Sequence, residues 1–404
     1  MVSIFGYMLR FQYHTMNSST IWWYVVTCAF PFIFYKGFKY LSSIISLFCY
    51  IFVYVPFINT LFVAGYPSSL SSQYIIFFLI AQCCFFLTDH WQLGKVNYGD
   101  KRPIPFKVFE IISAVIMLFL IMLNYDKMHM INVFDADQKQ ILYELRAENN
   151  STSSSLNSYL MGWMNHVFLP ILMVCYLRNK QFIKYLLAFL GMILVFMIDM
   201  QKISFFMPFV ISLVYLGYSL SKRVYLNYFH IAIFLFFIIV PLVLLKYVET
   251  PLGFNIASIL IMRTQCVEGR QFASYFDFFE TTAHPYTYFT HINIINQLTG
   301  LYPYSHSIGY EVAKGEANSN ATFFLMDGMA GAGLWGCFYV ALLFIVLKAF
   351  FNTVGNNYDK GLCVITLFFS FSSLMNSSLF TSLVSGGLLL FYIIYRLVYL
   401  SSMK

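Results

Sequence analysis

Residues 185–220 read YLLAFLGMILVFMIDMQKISFFMPFVISLVYLGYSL. Two long apolar runs flank a short polar break, which holds Asp199 and Lys202. A helix needs about 20 mostly apolar residues to cross the roughly 30 Å hydrocarbon core of a bilayer. The pattern therefore predicts two spanning helices, at about 185–200 and 204–220. A strand of a membrane β-barrel would instead show about ten residues of alternating polarity.

Runs of the same kind recur along the whole chain. Of its 404 residues, 60% are hydrophobic and only 10% are charged, whereas soluble domains carry about 25% charged residues. A soluble fold could not hide so much apolar surface, so the predicted fold class is an all-α polytopic integral membrane protein. We expect about eleven transmembrane helices, within a range of about ten to twelve. Their approximate positions are 20–35, 41–58, 73–90, 108–124, 158–177, 185–200, 204–220, 228–247, 323–347, 361–379 and 381–399.

The basic residues indicate the orientation. Short cytoplasmic loops of membrane proteins carry an excess of Lys and Arg. The chain has 24 of these residues and a formal charge of +7. The majority lie in one set of alternate short loops: Lys36, Lys39, Lys95, Lys101, Arg102, Lys107, Arg178, Lys180, Lys184, Lys222, Arg223, Lys348, Lys360, Arg396 and Lys404. These loops and the C-terminus are predicted to be cytoplasmic. Because the charges are spread out, no nucleic-acid partner is expected.

Two long polar segments are predicted on the opposite, outward side. The sequence divides into residues 1–247, with eight helices and a smaller outer loop at about 125–157, and a large outer loop at 248–322. Residues 323–404 then hold the last three helices. The large loop is the longest stretch that could not lie in lipid, so we expect any chemistry to be found there.

Several chemistries lack the residues that they need. There is no Gly-x-x-x-x-Gly-Lys-Ser/Thr phosphate loop, no His-Glu-x-x-His or Cys/His cluster with metal spacing, and no Gly-x-Ser-x-Gly turn. Asp135-Ala136-Asp137 could hold a metal on a sugar nucleotide. A single triplet of this kind in a polar loop is more often a solvated turn. We therefore expect no metal and no cofactor.

The large outer loop holds two arginines seven residues apart, Arg263 and Arg270. The sequence predicts two short helices on either side of Gly269, the second at about 271–282. If these helices are nearly continuous, the arginines share a face, since seven residues make about two turns, and Asp277 continues that face. Guanidinium groups bind phosphate oxygens in pairs, which suits a diphosphate. The alternative is an interfacial helix whose arginines meet ordinary anionic lipid.

The same loop is rich in groups that could transfer a proton or contact a sugar. The acid–base candidates are Glu268, Asp277, Glu280, His284, His291, His306, Glu311 and Glu316. The aromatic residues are Phe272, Tyr275, Phe276, Phe278, Phe279, Tyr286, Tyr288, Phe289, Tyr302, Tyr304 and Tyr310. Such rings stack on sugars, but they also form the interfacial belt of membrane proteins. From the residues alone both readings stay open, as does the choice of acid–base group.

A polar stretch after the loop runs directly into a glycine-rich helix. Asn318, Asn320 and Asp327 are predicted to line the outer mouth of that helix, and its glycines allow close helix packing. Earlier in the chain, Asp199 and Lys202 lie at a predicted membrane edge. They either extend to the headgroups, or Lys202 supplies a fixed positive charge to a lipid-linked phosphate.

These residues resemble a known family. The pattern Asn318-x-Asn320, followed by Phe324-x-x-Asp327-Gly328-x-x-x-x-Gly333-x-x-Gly336, is similar to the end of the large periplasmic loop in the Wzy-type O-antigen polymerases of Gram-negative bacteria. The stretch from Arg263 to Phe279 resembles the part of that loop where the family has an arginine, a glycine and an aromatic cluster. Lys202 matches a basic position that the family often has. Glu268 differs, because members often have proline there, and this leaves the register of Arg270 open.

The resemblance implies a C-type glycosyltransferase in the inner membrane, with its active loop in the periplasm. Such an enzyme joins oligosaccharide repeat units carried on undecaprenyl pyrophosphate. The growing glycan is transferred to a new lipid-linked unit, with inversion at the anomeric carbon and without metal or nucleotide sugar. Besides the lipid-linked donor and acceptor and the membrane lipids, a chain-length regulator protein is a partner to test for.

The resemblance also implies roles for single residues. Neutralisation of the departing pyrophosphate is expected from Arg263, Arg270 and Lys202. The base that takes the acceptor proton is expected to be Glu280, His284 or Asp277. Sugar contacts are expected from Tyr275, Asp277, Asn318, Asn320 and Asp327.

Two other functions stay open. A flippase for lipid-linked oligosaccharides would need a central cavity with basic residues inside the spans, whereas the predicted basic residues lie at the edges. An O-antigen ligase shares the general plan of the polymerases but transfers the finished glycan to lipid A–core.

Overall fold

The computed structural model describes residues 17–63, 72–93, 104–133, 154–222, 265–314, 323–355, 358–375, 377–400 and 403, with scattered positions at 138–149 and 227–253. The helices are α1 (Ser18–Ala29), α2 (Leu41–Cys49), α3 (Val55–Val63), α4 (Ser72–Leu87), α5 (Phe106–Leu123), α6 (Ser155–Trp163), α7 (Leu169–Arg178), α8 (Phe182–Asp199), α9 (Lys202–Leu220), α10 (Val267–Phe276), α11 (Asn293–Thr299), α12 (Ile308–Val312), α13 (Gly328–Gly355), α14 (Lys360–Ser372), α15 (Leu379–Val384) and α16 (Leu388–Leu397). Two short strands, β1 (Ile104–Pro105) and β2 (Val398–Tyr399), pair in parallel.

Shorter helical turns extend several of these helices. Turns of the 3₁₀ type are Phe30–Phe34, Thr88–His90, Tyr125–Lys127, Leu245–Tyr247 and Ser373–Met375. Wider, π-helical turns are Tyr50–Tyr54, Met164–Phe168, Asp277–Thr281 and Phe323–Asp327. The π turns at Tyr50–Tyr54 and Met164–Phe168 join α2 to α3 and α6 to α7, so each pair forms one longer apolar helix.

The prediction of an all-α polytopic membrane protein is confirmed. Among the described residues, eight helices are long and apolar enough to cross a membrane: Leu41–Val63, Ser72–His90, Phe106–Leu123, Ser155–Arg178, Phe182–Asp199, Lys202–Leu220, Leu325–Gly355 and Leu379–Leu397. Ser18–Phe34 and Lys360–Ser372 are shorter apolar helices. The predicted span at 228–247 is described only at scattered positions. The count of eleven therefore stays a prediction.

The chain forms two compact units. The first comprises residues 1–93, 227–352 and 374–380, and the second comprises the remaining segments 94–226, 353–373 and 381–404. In the first unit, Phe57, Phe78 and Phe272 pack edge to face with ring centroids 4.8–5.2 Å apart. Aromatic pairs of this geometry add about 0.5–1.5 kcal/mol each to the burial of the rings. This cluster fixes α10 against α3 and α4.

The glycine-rich helix α13 is broken. Ala332 and Gly333 have non-helical backbone angles, with φ +58° at Gly333. A Cβ on Gly328 would lie 2.5 Å from the backbone nitrogen of Cys337, although nine residues of a straight helix span about 13.5 Å. The chain therefore doubles back. Residues 323–331 form a half-helix that folds against the start of a longer piece, residues 334–355. The predicted span at 323–347 thus corresponds to the apolar helix Leu325–Gly355, and the break at Ala332 and Gly333 was not predicted.

Lys348, which the charge pattern places in a short loop, lies inside α13 instead. Its side chain is 1% exposed and its Nζ is 3.0 Å from Asp89 Oδ1. Lys348 Nζ also donates to Ser46 Oγ at 2.8 Å and to the carbonyl oxygen of Phe85. Because apolar neighbours surround Lys348 in the sequence, its partner across the unit could not be identified from the pattern.

In the second unit, the predicted turn between two spans is present. Met200 adopts a left-handed conformation with φ +54°, and Asp199 Oδ2 accepts a hydrogen bond from Ser204 Oγ at 2.8 Å. Lys202 is the first residue of α9. At the other end of α9, Tyr218 and Lys222 both contact the Asp359 carboxylate, which also caps α14.

Candidate functional site

The helix α10 brings the candidate site onto the helices of the first unit. Gly269 lies inside α10 and does not interrupt it, which corrects the sequence prediction. At Gly269 a Cβ would collide with the backbone of Pro56 and the side chain of Thr60 on α3. Only glycine allows this close approach. The predicted second helix at 271–282 is otherwise present, since α10 continues into the turn Asp277–Thr281.

Arg270 lies on the partly exposed side of α10. Its Nη1 donates a hydrogen bond to Ser274 Oγ at 3.2 Å, one turn further along. Asp277 begins the turn that follows α10 and is also partly exposed. Arg263, the other member of the predicted pair, lies outside the described residues. The shared face of the two arginines therefore stays a prediction.

Glu280 is the best-defined acidic group of the site. It is exposed, and its Oε1 accepts hydrogen bonds from Tyr74 Oη at 2.5 Å and from Tyr286 Oη at 2.7 Å. A Cβ on Gly333 would lie 2.7 Å from Tyr286 Oη and 3.0 Å from Glu280 Oε1. The carboxylate therefore lies directly over the break in α13. There the first backbone N–H groups of the longer piece lack helical partners, and the helix dipole favours an anion.

The two tyrosines act as donors to Glu280. Burial raises the pKa of Tyr286, and its hydrogen bond to the Glu280 carboxylate raises it further. The Tyr286 hydroxyl therefore keeps its proton at neutral pH. Tyr74 belongs to α4, its side chain is 5% exposed, and its hydroxyl also lies 3.8 Å from Met329 Sδ. One donor thus comes from a spanning helix and the other from the loop.

A turn of the loop is attached to the end of the half-helix. The backbone N–H groups of Thr287 and Tyr288 donate to the carbonyl oxygens of Ala330 and Gly331, at 2.8 and 2.9 Å. These are carbonyls at a helix C-terminus, which otherwise need capping partners. A Cβ on Gly331 would lie 2.6 Å from the Phe289 ring. Hydrogen bonds and ring packing together hold the turn in place.

This turn has a strained backbone. Tyr288 and Phe289 both adopt left-handed conformations, with φ +47° and +64°. For residues with a Cβ this costs about 1–3 kcal/mol each and persists only where the surroundings stabilise it. Strain of this kind concentrates at functional sites. The turn lies directly after Tyr286, the donor to Glu280.

His291 joins the loop to the half-helix through its side chain. Its Nε2 lies 2.6 Å from Asp327 Oδ1, and its Nδ1 lies 2.6 Å from Thr287 Oγ1. Tyr275 is fully buried nearby, and its pKa is raised by burial and then by the charge of Asp327. Asp327, predicted at the mouth of the helix, is therefore buried within the half-helix and does not face an open surface.

The remaining predicted site residues lie elsewhere in the loop, in the second unit or outside the described part. His284 is exposed and stacks on Phe278, with ring centroids 4.0 Å apart. Lys202 belongs to the second unit. Asn318 and Asn320 lie outside the described residues. Within the described part of the loop, Glu280 is thus the proposed base that lies at the break in α13.

Sequence reasoning missed Tyr74 and Thr287 and left His291 among eight acid–base candidates. Tyr74 is an ordinary aromatic residue at the start of a span, and Thr287 has no motif around it. Only the broken helix brings them together. The repeated glycines after Asp327 were the available signal, because four glycines within nine residues are unusual in a spanning helix interior.

Comparisons with known proteins identify no relative. No family model, no curated protein and no solved structure matches this chain. Among the residues that the structure describes, no three His, Cys, Asp or Glu side chains are grouped so that they could hold a metal ion.

Proposed function

We propose that this chain is a glycosyltransferase that joins lipid-linked oligosaccharide repeat units at the outer face of the bacterial inner membrane, as the O-antigen polymerases do. The observation that carries the proposal is the Glu280 carboxylate, held by Tyr74 and Tyr286 over the break in α13. The segment around it is rich in exposed or half-exposed aromatic rings and polar groups. An exposed carboxylate beside such rings suits a sugar hydroxyl as its substrate.

In the proposed reaction, Glu280 acts as the general base. Both described hydrogen bonds go to Oε1, so Oε2 is the atom that would face an acceptor hydroxyl. As the acceptor oxygen attacks the anomeric carbon, its proton goes to Glu280 and the bond from that carbon to the pyrophosphate oxygen breaks. A positioned base of this kind contributes about 10²- to 10⁴-fold to the rate.

Arg270 is the described residue proposed to bind the departing pyrophosphate. It is partly exposed on α10, and Glu280 lies in the helical turn that follows α10. A guanidinium group can pair with two phosphate oxygens at once. For Arg263 and Lys202 the proposed role of adding positive charge rests on the family resemblance alone. Tyr275 and Asp327 are buried, so their proposed contribution is to support the site and not to contact sugar directly.

The test is complementation of a host that lacks only this gene. On a gel of its lipopolysaccharide, core carrying a single repeat unit is expected, because units are made, exported and ligated but not joined. Wild-type protein should restore the long-chain ladder, whereas Glu280→Gln, Arg270→Ala and Arg263→Ala should each fail at equal membrane abundance. Arg270→Lys keeps the charge but not the paired geometry and should restore short chains only. Full ladders from the Glu280 and Arg270 variants would refute the proposed roles.

A second candidate function is transport of lipid-linked oligosaccharides. The observation that favours it is the buried Lys348–Asp89 ion pair, because ionisable groups inside spanning helices often belong to transport pathways. The same gel separates the two functions. Bare core without any repeat unit in the gene-deleted host would indicate a defect in export or ligation and would overturn the polymerase proposal.

A further inference from the structure

The side chains of Thr287, His291 and Asp327 form a buried bridge between the loop and the half-helix. The His291 and Asp327 side chains are 6% and 0% exposed, and Thr287 is 1% exposed. Both ring nitrogens of His291 are engaged at 2.6 Å. Because these side chains are buried and in close contact, they form a fixed connection and not a transient surface contact.

The hydrogen-bond partners define the chemistry of this bridge. A carboxylate oxygen accepts hydrogen bonds, so the hydrogen between His291 Nε2 and Asp327 Oδ1 is assigned to Nε2. Thr287 Oγ1 lies within hydrogen-bond distance of both His291 Nδ1 and the Ala330 carbonyl oxygen, which is 2.8 Å away. The order Thr–His–Asp resembles a nucleophilic triad, but the Thr287 hydroxyl is buried and faces the half-helix. It is therefore not placed to attack a substrate.

Asp327 depends on this bridge. Among the described residues, its Oδ2 is buried without a hydrogen-bond partner, so His291 is the group that compensates the carboxylate. Removing the ring would leave a buried carboxylate unsatisfied at the half-helix, which is strongly unfavourable. The turn that bears Tyr286 would then lose its link to Asp327 and keep the two backbone hydrogen bonds, the Thr287 Oγ1–Ala330 contact and the Phe289 packing.

We propose that His291 is a positioning residue, which clamps the turn 286–291 onto the half-helix and thereby keeps Tyr286 and Glu280 over the break in α13. Its effect on activity rests on the proposed function, whereas its effect on the turn does not. The two ring nitrogens of His291 contact Thr287 and Asp327, whereas the donors to Glu280 are Tyr74 and Tyr286. It acts through the backbone of Thr287 and Tyr288, which directly follow Tyr286.

The first test measures the turn itself, without any substrate. Hydrogen exchange of the full-length protein in lipid nanodiscs is followed by mass spectrometry for peptides that contain Thr287 and Tyr288. His291→Ala should speed exchange there by about 10- to 100-fold, because charge-assisted hydrogen bonds are lost. Exchange in α8 and α9 should stay unchanged, and His129→Ala, at an exposed histidine elsewhere, should leave the turn unaffected. Unchanged exchange of the turn in His291→Ala would overturn the proposal.

Conservative variants separate the two ends of the bridge. His291→Asn can replace the Nδ1 contact with Thr287, and His291→Gln can replace the Nε2 contact with Asp327. Each should show intermediate exchange. Thr287→Ser should behave as wild type. Thr287→Val loses the contact between residue 287 and His291 but keeps the contact between His291 and Asp327. Its exchange should therefore be closer to that of His291→Gln than to that of His291→Asn. Thr299→Val is the matched control, because Thr299 is exposed and bonds only its own helix.

The second test distinguishes positioning from base catalysis. With lipid-linked repeat units as substrate, His291→Ala should lower kcat by about 10²-fold, as misplacement of a catalytic group does, and the pH profile of the residual activity should keep its shape. His291→Gln should recover part of the rate. Loss of the acid limb of the profile, with no rescue by Gln or Asn, would show that His291 is itself the base and would refute the positioning role. If the wild-type protein shows no polymerase activity but His291→Ala still speeds exchange of the turn, the result supports the bridge and refutes only the proposed function.

Discussion

The buried pair Lys348–Asp89 leads to the most quantitative prediction. Its Nζ–Oδ1 distance is 3.0 Å, and the two side chains are 1% and 9% exposed. The three ammonium hydrogens find acceptors on Asp89, Ser46 and Phe85. Asp89 Oδ1 also accepts from Ser46 Oγ at 2.6 Å. The pair is therefore compensated within the first unit, and each member depends on the other.

Lys348→Met keeps the length of the side chain and removes its charge. The Asp89 carboxylate is then buried without a counter-charge, and breaking a buried pair in this way costs about 3–5 kcal/mol of stability. In the double variant Lys348→Met/Asp89→Asn both charges are absent, and the amide oxygen can still accept from Ser46. Most of the lost stability should return, which corresponds to a coupling of about 2 kcal/mol or more between the two positions.

The assay is the free energy of unfolding in detergent micelles, from denaturant titrations followed by circular dichroism. Lys184→Met is the matched control, because Lys184 pairs with Glu110 at 2.9 Å but is 50% exposed, and such pairs contribute about 0–1 kcal/mol. The reasoning fails if Lys348→Met is no more destabilised than Lys184→Met. It also fails if the double variant is no more stable than Lys348→Met alone.

Two further predictions concern the backbone break and acid stability. At Gly333, φ is +58° and Tyr286 occupies the place of a Cβ, so Gly333→Ala should abolish long glycan chains at normal membrane abundance. Gly217→Ala is the control, because a Cβ there meets open space, and it should leave the chains unchanged. Equal chain-length ladders from the two variants would refute the role given to the break in α13. The pKa of Asp359 would be raised by burial, but hydrogen bonds, first from Lys222, lower it below its ordinary 3.8. A carboxyl group whose pKa is lower in the folded than in the unfolded protein stabilises the fold above about pH 4, and this contribution is lost as the pH falls. Thermal stability should therefore drop below about pH 4, and Asp359→Asn should make that drop smaller.

The fold was accessible from the sequence wherever long apolar runs decide it. The predicted spans at 41–58 and 204–220 correspond to Leu41–Val63 and Lys202–Leu220, because burial of apolar residues in lipid needs length and little else. The break in α13 was not predicted. From the sequence, its glycines are interpreted as allowing close helix packing. In the structure, Gly328 on the half-helix packs against Gly336 on the longer piece of the same helix.

The site was harder to predict because its contacts join residues that are distant in sequence. Glu280 was one of three proposed bases, and its contacts with Tyr74, 206 positions away in the chain, and with Tyr286 separate it from His284 and Asp277. Asp327 was predicted at the outer mouth of the helix because a polar stretch runs directly into that helix, whereas it is buried. Its partner there is His291, and no periodicity or spacing in the sequence links the two.

The geometry around Glu280 also bears on the plainer interpretation, an interfacial segment that only meets lipid headgroups. Such a segment needs an amphipathic helix and a cationic side chain, which α10 could supply with Arg270. It needs neither a broken spanning helix nor two consecutive left-handed aromatic residues, each of which costs about 1–3 kcal/mol. Here that strain is offset by the hydrogen bonds of Thr287, Tyr288 and His291 to the half-helix. The cost is concentrated next to one exposed carboxylate, which favours a site that must hold its groups in a fixed arrangement.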